Sequence, residues 1–309
     1  MSVVQSNSAR ILARRLTRSA VPLRPNALVD RMVKHALGQR PSSVHEIGPG
    51  DANRVFRVEL RDRVVVARTQ FFRDNTKRYM HEQQSMDVAR QLGILVPPVR
   101  AIGRWHKHSY MIQDYIRGRD PSEINVLKSW EELGRLARRL GTRPWPTTPE
   151  KRNLYVDGLL RHVSTDNTIK KSGVLAPGEF SAAVNLAREL ATLRLDRVFQ
   201  HGDLKPKNVI LDSRGRYWLI GWNSAGGHPQ YYCLVQVYCR AAEDREFSAF
   251  RYGYGMSEQD WERERSELRP LIAAVLLKKI FRLLRNGTAD GVEPELYVSR
   301  LKATLQEVV

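Results

Sequence analysis

The sequence predicts an α+β protein with short strands early in the chain and helices dominating later. Three observations carry this. Residues 44–58 read as strand, glycine turn and strand, with apolar and polar residues alternating again from Val55, and Val64-Val65-Val66-Ala67-Arg68 supplies a further strand. Helical patterns are read at 27–37, where Gly38 gives a stop, from near Thr76, and at 133–141, 182–195, 261–286 and 293–308. No run of eighteen or more apolar residues occurs: the longest candidate, 271–277, is followed by Lys278 and Lys279, so no membrane-spanning helix is expected.

The 309 residues suffice for one two-lobed domain or two small ones, and a hydrophobic content of 42% supports a real core. The two cysteines, Cys233 and Cys239, lie six apart without metal-ligand spacing, which excludes a disulfide framework or a zinc site and assigns both to the core. The net charge of +18 suggests an anionic partner: nucleic acid, a phosphorylated substrate or an acidic membrane surface. A generally basic surface without a dedicated partner is the plainer alternative.

Residues 1–41 form a basic arm or helix. Eight Lys or Arg (Arg10, Arg14, Arg15, Arg18, Arg24, Arg31, Lys34 and Arg40) face one acid, Asp30, within the first forty. That composition suits a packed first helix or a basic arm for an anionic partner better than a mitochondrial targeting segment. A cytoplasmic location is expected, with a mitochondrial one as the alternative.

The stretch His201-Gly202-Asp203-Leu204-Lys205-Pro206-Lys207-Asn208 precedes the apolar run Val209-Ile210-Leu211. A carboxylate, an ammonium two residues on and an amide five residues on can converge on one phosphate and its metal. The carboxylate can accept the proton of an attacking hydroxyl, the amide oxygen can hold Mg²⁺, and the ammonium can neutralise the moving phosphoryl group.

This stretch resembles the catalytic loop of the protein-kinase-like superfamily, and its His-Gly-Asp opening is similar to aminoglycoside phosphotransferases and their choline-kinase relatives. Lys205-Pro206 instead resembles the serine/threonine protein kinases. The resemblance covers residues 42–255. It implies a two-lobed protein-kinase-like fold, with a small antiparallel sheet lobe carrying one helix over 42–116 and a larger helical lobe over 117–309, the catalytic loop being 201–208. It implies ATP and Mg²⁺ as cofactors, and transfer of the γ-phosphoryl to a hydroxyl of a small-molecule or anionic acceptor.

Residue by residue, the resemblance makes Asp203 the base, Lys205 the phosphate stabiliser and Asn208 a metal ligand. Gly48, Gly50 and Asn53 match the nucleotide-covering loop. Arg68 stands where relatives carry the ATP-anchoring lysine, and a guanidinium forks where an ammonium is compact. Glu82 is placed to pair with that cation. The backbone around Gln113 and Tyr115 would bond adenine, and residues 142–175 look like a surface insertion that reads the acceptor.

Besides Arg68, two further positions depart from the pattern. The metal-binding aspartate of relatives would fall directly after Tyr217-Trp218-Leu219-Ile220, yet Gly221 stands there. A hard cation wants carboxylate oxygen, and glycine supplies none. Cys233 occupies the place of an acid that braces the catalytic loop in relatives. Weakened activity follows, or a second reading: a pseudokinase serving as a basic binding module on nucleic acid or a ribonucleoprotein, docked by its arm. In the predicted C-terminal helices, Leu271, Val275, Leu276 and Leu284 are expected in the core, with Lys278, Lys279, Arg282 and Arg285 forming a basic face.

Overall fold

The computed structural model describes residues 25–49, 54–70, 74–146, 157, 158, 160, 163, 168–193, 195–241, 243–286 and 294–306. The chain divides into two compact units, one comprising the residues up to Lys77 with Pro98–Tyr115, the other Arg78–Pro97 with the chain from Ile116 onward. Gly50, Asn53 and residues 1–24 lie outside the described residues.

The first unit is an antiparallel sheet with a helix on one face. Strands β1 (Ser43–Pro49), β2 (Arg54–Glu59), β3 (Val64–Gln70), β4 (Val99–Trp105) and β5 (His108–Asp114) are ordered β1-β2-β3-β5-β4. Period-two alternation turns Phe56, Val58, Val65, Ala67, Tyr110 and Ile112 to one face, where they bury Val29, Met32 and Val33 of helix α1 (Pro25–Leu37). Apolar positions at i, i+3 and i+4 give α1 that stripe. The helix stops where the sequence predicts: Gly38 takes φ +71° while its amide closes on the Lys34 carbonyl at 2.9 Å.

The second unit is mostly helical. Helix α2 (Thr76–Gln91) runs into it, and its extension docks by the main chain, the Leu219 amide donating to the Leu95 carbonyl at 2.9 Å. Strands β6 (Gly118–Arg119), β8 (Val209–Asp212) and β9 (Tyr217–Leu219) make one small sheet; β7 (Arg197–Gln200) and β10 (Gly226–Pro229) make a ribbon. Helix α3 (Val126–Leu140) crosses α7 (Asp244–Tyr254) at Gly134 and Gly253, where a Cβ on either residue would overlap backbone of the opposite helix. That pair of glycines sets the approach.

The core of this unit is helix α9 (Arg269–Asn286), whose residues 271–277 are all buried, and α4 (Thr168–Ser172), α5 (Pro177–Arg188), α6 (Tyr232–Arg240) and α10 (Pro294–Gln306) pack around it. The single helix predicted at 261–286 is two: α8 (Glu258–Glu267) ends at Leu268, and α9 begins beside Pro270, which lacks the N–H needed to continue the preceding ladder. The helix predicted at 182–195 begins earlier, at Pro177, with the Glu179 carboxylate accepting from the Ala176 amide at 2.8 Å, and a 3-10 turn replaces its end at Glu189–Ala191.

Leu271, Val275 and Leu276 are buried as expected, but Leu284 is half-buried and Lys279 is buried, so the basic face is carried by Lys278, Arg282 and Arg285. Nor are residues 142–175 a surface insertion throughout: Leu160, Val163, Ile169 and Leu175 are each buried, and the Trp145 amide donates to the Arg197 carbonyl at 2.9 Å. Apolar residues spaced through a polar stretch had hidden that packing. No helix among the described residues is long and apolar enough to cross a membrane.

Candidate active site

The loop between β7 and β8 begins on His201, whose ring is buried and meets Trp222 edge-on with 4.7 Å between centroids. Behind it Trp145, Phe199 and Trp222 stack in a row, at 6.0 and 6.4 Å between successive rings. The Asp203 amide points at His201 Nδ1 at 3.3 Å, and since an amide can only donate, Nδ1 accepts and Nε2 donates to the Ile220 carbonyl at 2.9 Å. Burial pushes the His201 pKa down to about 4, so the ring is a neutral strut between the loop and the end of β9.

Gly202 follows at φ +79°, and a Cβ there would overlap the Ser224 carbonyl oxygen. Leu204 is buried and anchors the turn, while Pro206–Asn208 forms a short 3-10 helix closed by the Asn208 amide on the Lys205 carbonyl at 2.9 Å. Three sequence-predicted groups thereby meet. Asn208 Nδ2 donates to the Asp203 main-chain oxygen at 2.7 Å and to its Oδ2 at 3.0 Å, and Lys205 Nζ lies 3.1 Å from the same Oδ2.

Two further residues hold the loop, both missed in the sequence. Arg240 Nη2 lies 3.1 Å from Asp203 Oδ1 and its Nη1 donates to the Leu204 carbonyl at 3.3 Å; Gln236 Nε2 donates to the Gly202 carbonyl at 3.0 Å. The Cys233 amide joins them by donating to Gln200 Oε1 at 2.9 Å. Positions 233, 236 and 240 share one face of α6, at helical spacing. The brace assigned by resemblance to an acid at 233 therefore comes from Gln236 and Arg240 on the same face. The helical spacing was the available signal, but nothing local says which loop that face meets.

Burial would raise the Asp203 pKa, but the Arg240 and Lys205 cations outweigh it and hold the carboxyl well below the ordinary carboxylate range. The group is ionised at neutral pH and aimed, with both oxygens engaged. A carboxylate offers about four lone-pair directions, so an approaching hydroxyl still finds one.

Gly221 ends β9 in the left-handed region at φ +80°, ψ +43°. The Ile220 amide donates to the Asn208 carbonyl at 2.9 Å, and a Cβ on Gly221 would lie 3.1 Å from Asn208 Oδ1. A side chain at 221 would thus converge on the Asn208 amide, where a shared cation would be held, and glycine has no side chain to offer. With the Asp203 oxygens met by Arg240, Lys205 and Asn208, the amide oxygen of Asn208 is a lone neutral donor, and no group of three His, Cys, Asp or Glu among the described residues could hold a metal. This donor set does not fit a resident Mg²⁺.

The remaining predicted residues are placed as follows. Arg68, with Nη1 3.7 Å from Met111 Sδ, and buried Gln113 share the sheet face turned away from α1, because Arg68 pairs with Met111 and Val66 with Gln113 across β3 and β5. Gly48 is the penultimate residue of β1, opposite Val55. The amides of Asp114 and Tyr115 are spent on the Pro98 and Val64 carbonyls at 2.9 and 3.1 Å, and the Tyr115 ring takes the Arg57 guanidinium at 5.4 Å, so adenine recognition by those two amides is closed. Glu82 is buried on α2, in the helical unit.

A family model described as the phosphotransferase enzyme family matches residues 43–268. Among solved structures, aminoglycoside phosphotransferase APH(4)-Ia is similar at 16% identity and a TM-score of 0.65, over 91% of this chain and 98% of that one. Spectinomycin phosphotransferase APH(9)-Ia, in complex with ADP and spectinomycin, has 12% identity and a TM-score of 0.58 over 92% and 95%; LicA in complex with AMP has 16% and 0.58 over 91% and 97%. No curated protein sequence matches the chain. The match across most of the chain, the antiparallel sheet unit, the helical unit and the assembled 201–208 loop agree: the chain belongs to the phosphotransferase enzyme family.

Proposed function

We propose that the protein is a kinase-like phosphotransferase that moves the γ-phosphoryl of ATP to a hydroxyl, at a rate limited by the absence of an acid at 221. The convergence of Lys205 and Asn208 on Asp203 Oδ2, at 3.1 and 3.0 Å, carries this reading. The transition state of phosphoryl transfer is loose, so the acceptor proton moves late and orientation by Asp203 matters more than its basicity. That suits a carboxylate held far below neutrality. Lys205 would neutralise the moving group. Arg68, Gln113 and Glu82, with Gly48, Gly50 and Asn53, would serve the nucleotide, a role supported by structural neighbours that bind ADP or AMP.

Gly221 favours a second reading, a nucleotide-binding module without turnover whose basic surface does the work. Losing a carboxylate that stabilises developing charge costs on the order of a thousandfold in rate. Titrating ATP by calorimetry with and without Mg²⁺, on wild type and on Gly221→Asp, with turnover followed in both, separates the two. Aspartate tolerates the left-handed region better than most residues, so the variant should fold. Slow turnover by wild type and faster, Mg²⁺-dependent turnover by Gly221→Asp is the expected result. Binding without turnover in wild type selects the second reading, and absence of ATP binding in both proteins overturns both.

A further inference from the structure

Two Arg-Gly-Arg tripeptides, Arg117-Gly118-Arg119 and Arg214-Gly215-Arg216, stand far apart in the sequence, and the small sheet of the helical unit brings them side by side. Gly118 pairs with Asp212 and Arg119 with Leu211 across β6 and β8, one strand spacing of ~4.8 Å apart, and the second tripeptide lies in the turn from β8 into β9. Each glycine has a local reason. A Cβ on Gly118 would overlap the Leu211 carbonyl oxygen, and Gly215 turns the chain at φ +73°. All four arginines are exposed.

Elsewhere exposed arginines find acids: Arg63 pairs with Asp62, Arg90 with Asp87 and Arg100 with Asp114. Here the neighbouring acids are spent on the backbone. Asp212 accepts from the Arg214 and Arg216 amides at 2.9 and 3.0 Å, from Arg216 Nε at 2.8 Å and from Trp218 Nε1 at 2.9 Å, which closes the turn. Asp120 accepts from the Ser122 amide at 2.9 Å and from its hydroxyl at 2.6 Å. Arg216 is held by Asp212 and by the Trp218 ring, 5.4 Å from its guanidinium. Arg117, Arg119 and Arg214 have no side-chain hydrogen bond, ion pair or ring contact among the described residues. Like charges crowded on one sheet rim repel, and a bound polyanion relieves that repulsion.

We propose that this rim binds single-stranded nucleic acid, with Arg117, Arg119 and Arg214 on its phosphates and Arg216 as the fixed post of the turn. Every cation of the rim is an arginine. A guanidinium forks onto phosphate oxygens and lies flat on a base, whereas an ammonium is a compact point charge. Arg117 and Arg119 are two residues apart, ~6.6 Å along an extended chain, a step that suits successive phosphates of an extended strand. A lipid surface fits less well, because the exposed large apolar side chains Ile47, Met80, Ile124, Leu127 and Tyr252 all lie outside β6, β8, β9 and their turn, leaving none to enter a bilayer. The net charge of +18 draws a polyanion from a distance. The turn lies at the end of β8 opposite Asn208, so the rim serves whether or not the loop transfers phosphate.

The probe is a fluorescein-labelled oligouridylate of ~16 nucleotides, titrated with the full-length chain by anisotropy between ~50 and ~200 mM salt. The test variant combines Arg117→Gln, Arg119→Gln and Arg214→Gln, all exposed positions, so the fold should persist. A comparison variant removes the same charge from the N-terminal arm through Arg10→Gln, Arg14→Gln and Arg15→Gln. Wild type should bind, and the rim variant should bind at least tenfold more weakly at ~100 mM salt. The slope of log affinity against log salt should fall by about 2, since each lost phosphate contact on a single strand removes about 0.7. The arm variant should lose less than the rim variant. No binding by wild type, or equal affinity and slope in wild type and the rim variant, overturns the site. An equal loss in the arm variant marks an effect of net charge and overturns it too, as does binding to phosphatidylserine vesicles without binding to the oligonucleotide.

Discussion

Arg240 reaches across from the helix after the active-site loop to place Nη2 3.1 Å from Asp203 Oδ1, while only a tenth of its own side chain is exposed. The pair keeps the carboxylate ionised and fixes its direction. Removing one member of a buried ion pair costs about 3–5 kcal/mol, and the quarter of Asp203 that faces solvent lowers this to about 2–3 kcal/mol. Arg240→Met should therefore unfold at a markedly lower temperature than wild type. The difference also depends on pH in a definite direction. A carboxylate whose folded pKa is depressed contributes stability above its unfolded value near 4, and loses it as pH falls through the folded value. The gap between the two proteins should be widest above pH ~4 and close below it; a gap that stays constant down to pH ~2 would show that Arg240 acts by packing alone.

The two left-handed glycines of the site predict unequal costs. A Cβ at Gly202 overlaps a backbone carbonyl that cannot yield, whereas at Gly221 it meets the Asn208 side chain at 3.1 to 3.4 Å, a few tenths of an ångström too close. Both substitutions carry the strain of a positive φ, about 1–2 kcal/mol. Gly221→Ala should cost little more than that, and Gly202→Ala at least about 2 kcal/mol more, because the loop and the Trp222–Ser224 turn must separate. Chemical denaturation of both variants tests the ranking.

His201 gives the fold an acid sensitivity near physiological pH. Its folded pKa is about 4 against an ordinary value of 6.5, so the unfolded chain takes up a proton first as pH falls, and stability is lost between those values. One proton corresponds to about 1.4 kcal/mol per pH unit. In His201→Gln, where an amide can still reach the Ile220 carbonyl, the slope of unfolding free energy between pH ~4 and ~6.5 should flatten by about that amount. An unchanged slope would mean that His201 is not the group being protonated.

Local pattern made much of this legible. Alternation in β2 and β3 placed Phe56, Val58, Val65 and Ala67 on one face, and the order Asp203, Lys205, Asn208 was readable because a short loop brings near neighbours together with little freedom to do otherwise. Arg240 was not readable, since its contact with Asp203 spans 37 residues and depends on how α6 lies against the loop. The break before Pro270 was lost for a different reason. The helical pattern resumes at once on either side of it, so periodicity registers no interruption and only the chemistry of proline marks the turn.

The interleaving of the two units has a consequence for the birth of the chain. Strand β3 takes β5 as its neighbour, so the sheet keeps an open edge until residue 114 has left the ribosome. The segment between Lys77 and Pro98 waits longer: the Leu95 carbonyl receives its partner amide from Leu219, 124 residues downstream. A nascent chain of this protein therefore carries an unfinished β edge until residue 114 and an undocked helix until residue 219, and closing so long a loop is slow. Fragments ending near residue 116 would hold α2 without most of the helical unit to which it belongs, and chaperone engagement during translation should concentrate on lengths between 116 and 219.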